Sequence, residues 1–245
     1  MLLRCGHESK ITRTTTKVNI DSLFQKREHY LKKIKRCVAF IFVKDGEGKR
    51  AAGTGFFIGL KQKTTSIYFV TAKHVLLPEN GNFYPEIYIR LNRKSSNLED
   101  IKLNLVKDNI LMHPEDENVD IALFSFSPSV DIYDFLYILA EDLLATKDIA
   151  NKKMVEGDQV FYAGLFEEIA EDTEKNYPIL RFGRVSLLTQ EKIRVNALCE
   201  QEKWAHVYLF EMQSFNGNSG SPMFLKFLGC VEIKRNLVLD VWKYI

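Results

Sequence analysis

A serine hydroxyl is a weak nucleophile near neutral pH. It needs a base to take its proton, and the base needs a carboxylate to fix its tautomer and stabilise the cation it becomes. His74, Asp120 and Ser219 supply one of each group, in the chain order His, Asp, Ser. His74 lies in Val70-Thr71-Ala72-Lys73-His74-Val75, directly after an apolar run, where a side chain can face a cleft at a strand end. Asp120 stands immediately before Ile121-Ala122-Leu123-Phe124, at the mouth of a second apolar run, whereas Asp116 sits among Pro114, Glu115 and Glu117 in what reads as exposed loop. The other histidines of the chain are His7, His29, His113 and His206.

Ser219 occurs in Phe215-Asn216-Gly217-Asn218-Ser219-Gly220-Ser221-Pro222. Glycines on both sides of a serine, with a proline following, describe a tight turn in which backbone N–H groups can converge without side-chain obstruction. Such a turn offers a hydroxyl together with an oxyanion hole from the N–H groups of Gly217 and Ser219, each donor being worth about 10²–10³ in rate. Singly, the three residues have plainer readings: a satisfied structural histidine, a strand-capping aspartate and a surface turn. Together they point to acyl transfer.

The elements that must position them are β-rich. Asp21 to Arg36 has Leu23, Phe24, Tyr30, Leu31 and Ile34 at a loose three-to-four spacing, which predicts an amphipathic helix with one face on the main body. Short apolar runs follow at 37–43, 55–59, 66–70, 86–91, 101–105 and 121–124, separated by turn clusters such as Asp45-Gly46-Glu47-Gly48. Six such runs within about ninety residues leave no room for crossover helices and argue for an antiparallel meander or barrel. A helix is expected around Ile132 to Leu144. The β texture then resumes at 159–165, 179–188, 193–199, 207–212 and 222–227, with a further run from Cys230, and the acidic stretch Glu167 to Glu174 reads as a long exposed loop. The expected organisation is a basic leader (1–36), a first β half (37–126) carrying His74 and Asp120, a linker (127–155), and a second β half (156–245) carrying Ser219.

In this setting the sequence resembles the chymotrypsin-fold, trypsin-like serine peptidases. The matching blocks are Gly53-Thr54-Gly55-Phe56-Phe57-Ile58, Val70 to Val75, Asp120 to Leu123, Gly157-Asp158-Gln159-Val160 with Gly164, Gly183-Arg184-Val185-Ser186, and Gly217 to Pro222, in family order. The resemblance implies an all-β fold of two antiparallel six-stranded β-barrels with the active site between them, and endopeptidase chemistry through an acyl-enzyme. It makes His74 the general base and acid, Asp120 its orienting partner, Ser219 the nucleophile, and Gly217 with Ser219 the oxyanion donors. Asn218 stands where secreted digestive members use an aspartate to bind a freshly cut N-terminus. The chain is therefore more similar to the high-temperature-requirement, bacterial-type branch with Gly-Asn-Ser-Gly, and activation by N-terminal cleavage is not implied.

Ser221 replaces the second glycine after the nucleophile, and the stretch from Cys230 to Ile245 lacks the family's glycine-rich substrate-binding segment, so that an abbreviated second barrel, a truncated chain and an unusual mode of substrate binding are the alternatives. Gln213 corresponds to the base of the primary pocket; being uncharged, it argues against a preference for Lys or Arg and for small or apolar residues.

Composition agrees with a packed protein: of 245 residues, 46% are hydrophobic and 17 are Phe, which excludes disorder over most of the chain. No apolar window approaches the ~18 residues of a membrane span, and the N-terminus lacks the apolar run of a secretory signal, so a cytoplasmic location is expected. Cys5, Cys37, Cys199 and Cys230 form no Cys-x-x-Cys pair, so neither a disulfide framework nor a zinc site is indicated. No cofactor is expected, since no metal-ligand cluster, phosphate-binding loop or dinucleotide fingerprint is present. The net charge of +2 conceals a leader of ten Lys/Arg against Glu8, Asp21 and Glu28. A solvated arm is the expected reading; a nucleic-acid or membrane partner is not. Two functions follow: a serine endopeptidase acting on polypeptides, or a non-catalytic protein-binding module on the same fold.

Overall fold

The computed structural model describes residues 20–77, 83–95, 97–106, 109–114, 116, 119–140, 154–170, 173–189, 191–195, 203–205, 207–226 and 238–239. The leader arm before residue 20 and the segment from 227 to 237 lie outside them.

A helix, α1 (Ile20–Arg36), precedes the sheets. As the three-to-four spacing predicts, Ile34 is buried and Tyr30 and Leu31 pack with it against the core, while Glu28 and Lys32 pair on the exposed side. The first sheet is built from β1 (Val38–Asp45), β2 (Gly48–Lys61), β3 (Thr65–Ala72), β4 (Ile87–Asn92), β5 (Leu98–Leu103), β6 (Ile110–Met112) and β7 (Ile121–Ser125), in the order β5-β4-β1-β2-β3-β7-β6. All of these neighbours are antiparallel. A two-residue strand, β8 (Ile138–Leu139), joins the same sheet by pairing parallel to β2, Ile58 opposite Ile138. The second sheet takes β9 (Gln159–Gly164), β10 (Ile179–Leu188), β13 (Tyr208–Met212), β14 (Met223–Lys226) and β15 (Val238–Leu239), in the order β13-β10-β9-β14-β15. A separate hairpin pairs β11 (Ile193–Val195) with β12 (Lys203–Ala205). The fold is thus mostly β and almost wholly antiparallel, the class expected from the sequence.

Period-two alternation sorts the strands into three apolar layers. In β1, Ala39, Ile41 and Val43 face a cluster with Phe57, Phe69, Ile89 and Phe124, while Val38, Phe40 and Phe42 face the opposite way. That opposite side is shared between the sheets: Phe40, Phe42, Phe56 and Ile58 meet Phe161, Ala163, Leu165 and Phe224 in one buried cluster. Behind the second sheet, Val160, Tyr162, Met223 and Leu225 form the third layer. β1 and β9 are therefore apolar on both faces, and their sequences read as continuous hydrophobic runs.

Polar links cross between the sheets as well. Arg90 of β4 donates to the carbonyl of Ala170 at 2.9 Å. Asn176 donates its backbone N–H to Asn92 Oδ1 (2.7 Å) and its side-chain amide to the carbonyl of Arg90 (2.6 Å), and Asn92 returns a bond to the carbonyl of Asn176 (3.2 Å).

Two expectations are corrected. Residues 132–139 are not helical: Asp134 N–H bonds to the carbonyl of Asn92 and Leu136 N–H to that of Arg36, before β8 begins. Phe135 and Ile138 are buried, and their three-residue spacing imitates one helical face although the chain is extended. The acidic stretch from Glu167 is not all loop, because Glu167–Ala170 forms a helical turn, α3, whose Ala170 is buried in the shared cluster.

Candidate active site

Pairing between β3 and β7 places Ala72 opposite Ile121, so the residues that follow Ala72 emerge beside the one that precedes Ile121. The chain turns there into α2 (Lys73–Leu76), anchored by buried Val75 and Leu76. A helix start leaves backbone N–H groups without intrahelical acceptors. Asp120 supplies two: its carbonyl takes the N–H of Lys73 at 3.0 Å, and its Oδ1 takes the N–H of His74 at 2.8 Å. Its remaining oxygen, Oδ2, lies 2.5 Å from His74 Nδ1. One carboxylate thereby fixes both the backbone and the ring of His74, and a proton on Nδ1 directs the other ring nitrogen, Nε2, to act as acceptor. The imidazole is about half exposed (48%), which keeps it open to a reactant.

The competitors are placed elsewhere. Asp116 Oδ2 is engaged by Lys192 Nζ at 2.9 Å, and its N–H bonds to His113 Nδ1. His29 is exposed on α1, and His7 and His206 lie outside the described residues.

Ser219 is buried and sits in a turn between β13 and β14. Asn218 N–H bonds to the carbonyl of Phe215 (3.3 Å) and Ser221 N–H to that of Asn218 (3.0 Å), which closes the turn on itself. Gly217 and Gly220 both take φ +84°, a left-handed conformation that suits glycine. Space demands glycine at Gly220 as well: a Cβ there would stand 2.2 Å from the carbonyl oxygen of Thr54 and 2.9 Å from the nitrogen of Ala72. The residue after Ser219 is thus pressed onto the segment that leads into His74. Gly53 makes a parallel approach, since a Cβ on it would lie 2.7 Å from Val75 and 3.0 Å from the carbonyl oxygen of Ser219. The turn bearing Ser219 and the helix bearing His74 are therefore packed on the same stretch of β2.

Thr54, wholly buried, is the residue that sequence reasoning missed. Its N–H donates to the carbonyl of Ser219 (2.8 Å) and its hydroxyl to that of Gly217 (2.7 Å). The same hydroxyl accepts the N–H of Leu165 (2.9 Å), and its carbonyl accepts from Thr71 Oγ1 (2.7 Å). The only signal available was its place between Gly53 and Gly55, where a small polar residue interrupts an otherwise apolar strand.

Gln213 is exposed, and its carbonyl accepts from Tyr162 Oη at 2.9 Å. Burial pushes the Tyr162 phenol up to about 12, against the pull of the nearby Arg181 cation. Beneath the turn, Asn218 Oδ1 and Ser221 Oγ are buried without a hydrogen-bond partner, both close to Gly164. Among the described residues no group of His, Cys, Asp and Glu is arranged to hold a metal ion, and no helix is long and apolar enough to cross a membrane.

No protein-family model and no curated protein matches the chain. Among solved structures it is similar to Deg5, with a TM-score of 0.47 and 16% identity over 84% of this chain and 82% of that one. It is also similar to the active form of the Rv3671c protease from M. tuberculosis, with a TM-score of 0.43 and 15% identity over 79% of this chain and 66% of that one. The inactive form of Rv3671c gives 0.45 and 14% over 80% and 75%.

Proposed function

We propose that the chain is a serine endopeptidase whose active site lies between two β-barrel units, 37–126 and 156–245, joined by 127–155. His74 Nε2 takes the proton of Ser219 Oγ as that oxygen attacks the carbonyl carbon of a peptide bond. Asp120 holds the imidazole and stabilises its cation, and the N–H groups of Gly217 and Ser219 receive the developing oxyanion. His74 then gives the proton to the leaving amine, which departs and leaves Ser219 acylated. A water molecule, deprotonated by His74, attacks the ester and releases the acid.

The observation that carries this reading is the double engagement of Asp120 with His74, through ring and backbone, beside a glycine-bounded serine turn strapped to the same strand. A strand-capping aspartate would need only the backbone bonds. Orienting the ring of a half-exposed histidine adds nothing to the cap and is what a general base requires.

Labelling by a fluorophosphonate tests it. The full chain should react, and Ser219→Ala should abolish labelling while leaving the thermal midpoint close to that of the parent. Peptidase turnover should fall by about 10⁶-fold in Ser219→Ala and in His74→Ala, because groups that act as a unit fail together. A parent chain that is folded yet inert to the probe would leave a protein-binding module as the function of this fold.

A further inference from the structure

Arg181 lies in β10 directly opposite Tyr162 of β9, so the two side chains share the face that looks into the third apolar layer. The guanidinium carbon is 4.1 Å from the ring centre of Phe215 and 5.3 Å from that of Phe166, and these two rings meet edge to face at 5.5 Å. Phe215 begins the turn that carries Ser219, and its carbonyl receives both the N–H and the side-chain amide of Asn218. Tyr162, across the ladder from Arg181, bonds to the carbonyl of Gln213, the residue assigned to the base of the primary pocket. Arg181 thus stands among the residues that frame the approach to the nucleophile turn.

Its charge is not neutralised there. Nε is buried without a hydrogen-bond partner, and among the described residues no carboxylate forms an ion pair with Arg181. Two aromatic faces stabilise a guanidinium only in part, and the Nε–H of Arg181 stays without an acceptor. A buried donor of a partly exposed cation is left unmet unless an acceptor completes it, and a carboxylate fits a guanidinium bidentately. Gln213 brings no competing charge.

Resting on the endopeptidase reading above, we infer that Arg181 is the specificity-determining residue for the substrate side chain that precedes the scissile bond, and that it selects a carboxylate, Glu or Asp. The aromatic pair Phe166 and Phe215 packs the methylenes of that side chain while the guanidinium takes its charge. This replaces the small or apolar preference suggested by Gln213 alone.

The test uses the full chain and fluorogenic peptides that differ only in the residue before the cleaved bond: Glu, Asp, Gln, Leu or Lys. Charge-assisted hydrogen bonding predicts kcat/KM for Glu about 10- to 100-fold above that for Gln. Arg181→Gln should bring the Glu-to-Gln ratio close to one, and Arg181→Lys should restore part of it. A parent chain that cleaves after Gln, Leu or Lys at least as well as after Glu overturns the assignment, and so does an unchanged ratio in a folded Arg181→Gln protein. Should the variants fail to fold, the ratio measured on the parent chain still decides. Fluorophosphonate labelling of the parent separates the two levels. Labelling without an acidic preference sinks the role of Arg181 alone, whereas no labelling sinks the endopeptidase reading and this inference with it.

Discussion

The hydroxyl of Thr54 donates to the carbonyl of Gly217 across 2.7 Å while accepting the N–H of Leu165 across 2.9 Å. A residue of the first sheet thereby holds the turn of Ser219 and the end of β9 at once. Thr54→Val keeps the shape and removes the hydroxyl, so that two buried backbone groups lose their partner. Stability should drop by about 1–3 kcal/mol, and fluorophosphonate labelling should slow more than in Thr54→Ser, which keeps the oxygen. Equal labelling rates for the Val and Ser variants would show that the hydroxyl does not set the turn.

Gly220→Ala addresses the close approach on the other side of Ser219. The new Cβ would stand 2.2 Å from the carbonyl oxygen of Thr54 in a backbone conformation that itself costs about 1–2 kcal/mol for an L-residue. Labelling should be lost and the thermal midpoint lowered. A variant with the parent's midpoint and reactivity would contradict the packing of this turn on β2.

Ser221 gives the opposite sign. Its Oγ is buried with no hydrogen-bond partner, and removing such a group relieves a desolvation penalty of about 1–3 kcal/mol. Ser221→Ala should be neutral or stabilising by chemical denaturation, and a loss above about 1 kcal/mol would mean that the hydroxyl is engaged.

Asp100 accepts two bonds from Arg90, at 2.7 and 3.1 Å, and one from Lys49 at 3.0 Å. Burial works to raise its carboxyl, but the two cations overcome this and hold it below the usual carboxylate range. A carboxyl depressed in the folded state adds stability above its unfolded value, about 3.9, and loses it as pH falls through the lower folded value. Asp100→Asn should therefore cost about 1–2 kcal/mol near neutrality, less than a fully buried pair because solvent screens a partly exposed one, and that deficit should shrink below about pH 4. A constant deficit down to pH 2 would remove Asp100 as the titrating group.

Cys37 is buried, and that burial pushes its thiol up to about 12. Thiolate is the reactive form, so iodoacetamide at pH 8 should spare Cys37 in the native protein and modify it in denaturant. Mass spectrometry of peptides spanning residue 37 reads both states, and rapid native modification would argue against the buried placement.

Much of this arrangement was legible in the sequence because it rests on local pattern. The runs that became β1, β3 and β7 are apolar stretches bounded by turn residues, and His74 and Asp120 fall at their ends. Residues 132–139 misled because Phe135 and Ile138 repeat a helical spacing, while the parallel pairing with β2 that decides their conformation is a long-range contact. β6 is three residues long, too short to show alternation. Thr54 and Arg181 were hard to read for a related reason: each matters through partners distant in sequence, Gly217 and Leu165 for Thr54 and Phe215 for Arg181. The order His, Asp, Ser could be read; the strap that ties the serine turn to β2 could not.

The bonds from Arg90 and Asn176 and the apolar layer shared by Phe40, Phe42, Phe161 and Phe224 belong to neither half alone. Fragments 1–140 and 154–245, produced as separate polypeptides, should for that reason find each other and reassemble, since covalent continuity contributes little that this common interior does not already enforce. The molecule is in that sense a complex with itself, and the reactive centre proposed for it would be an interface.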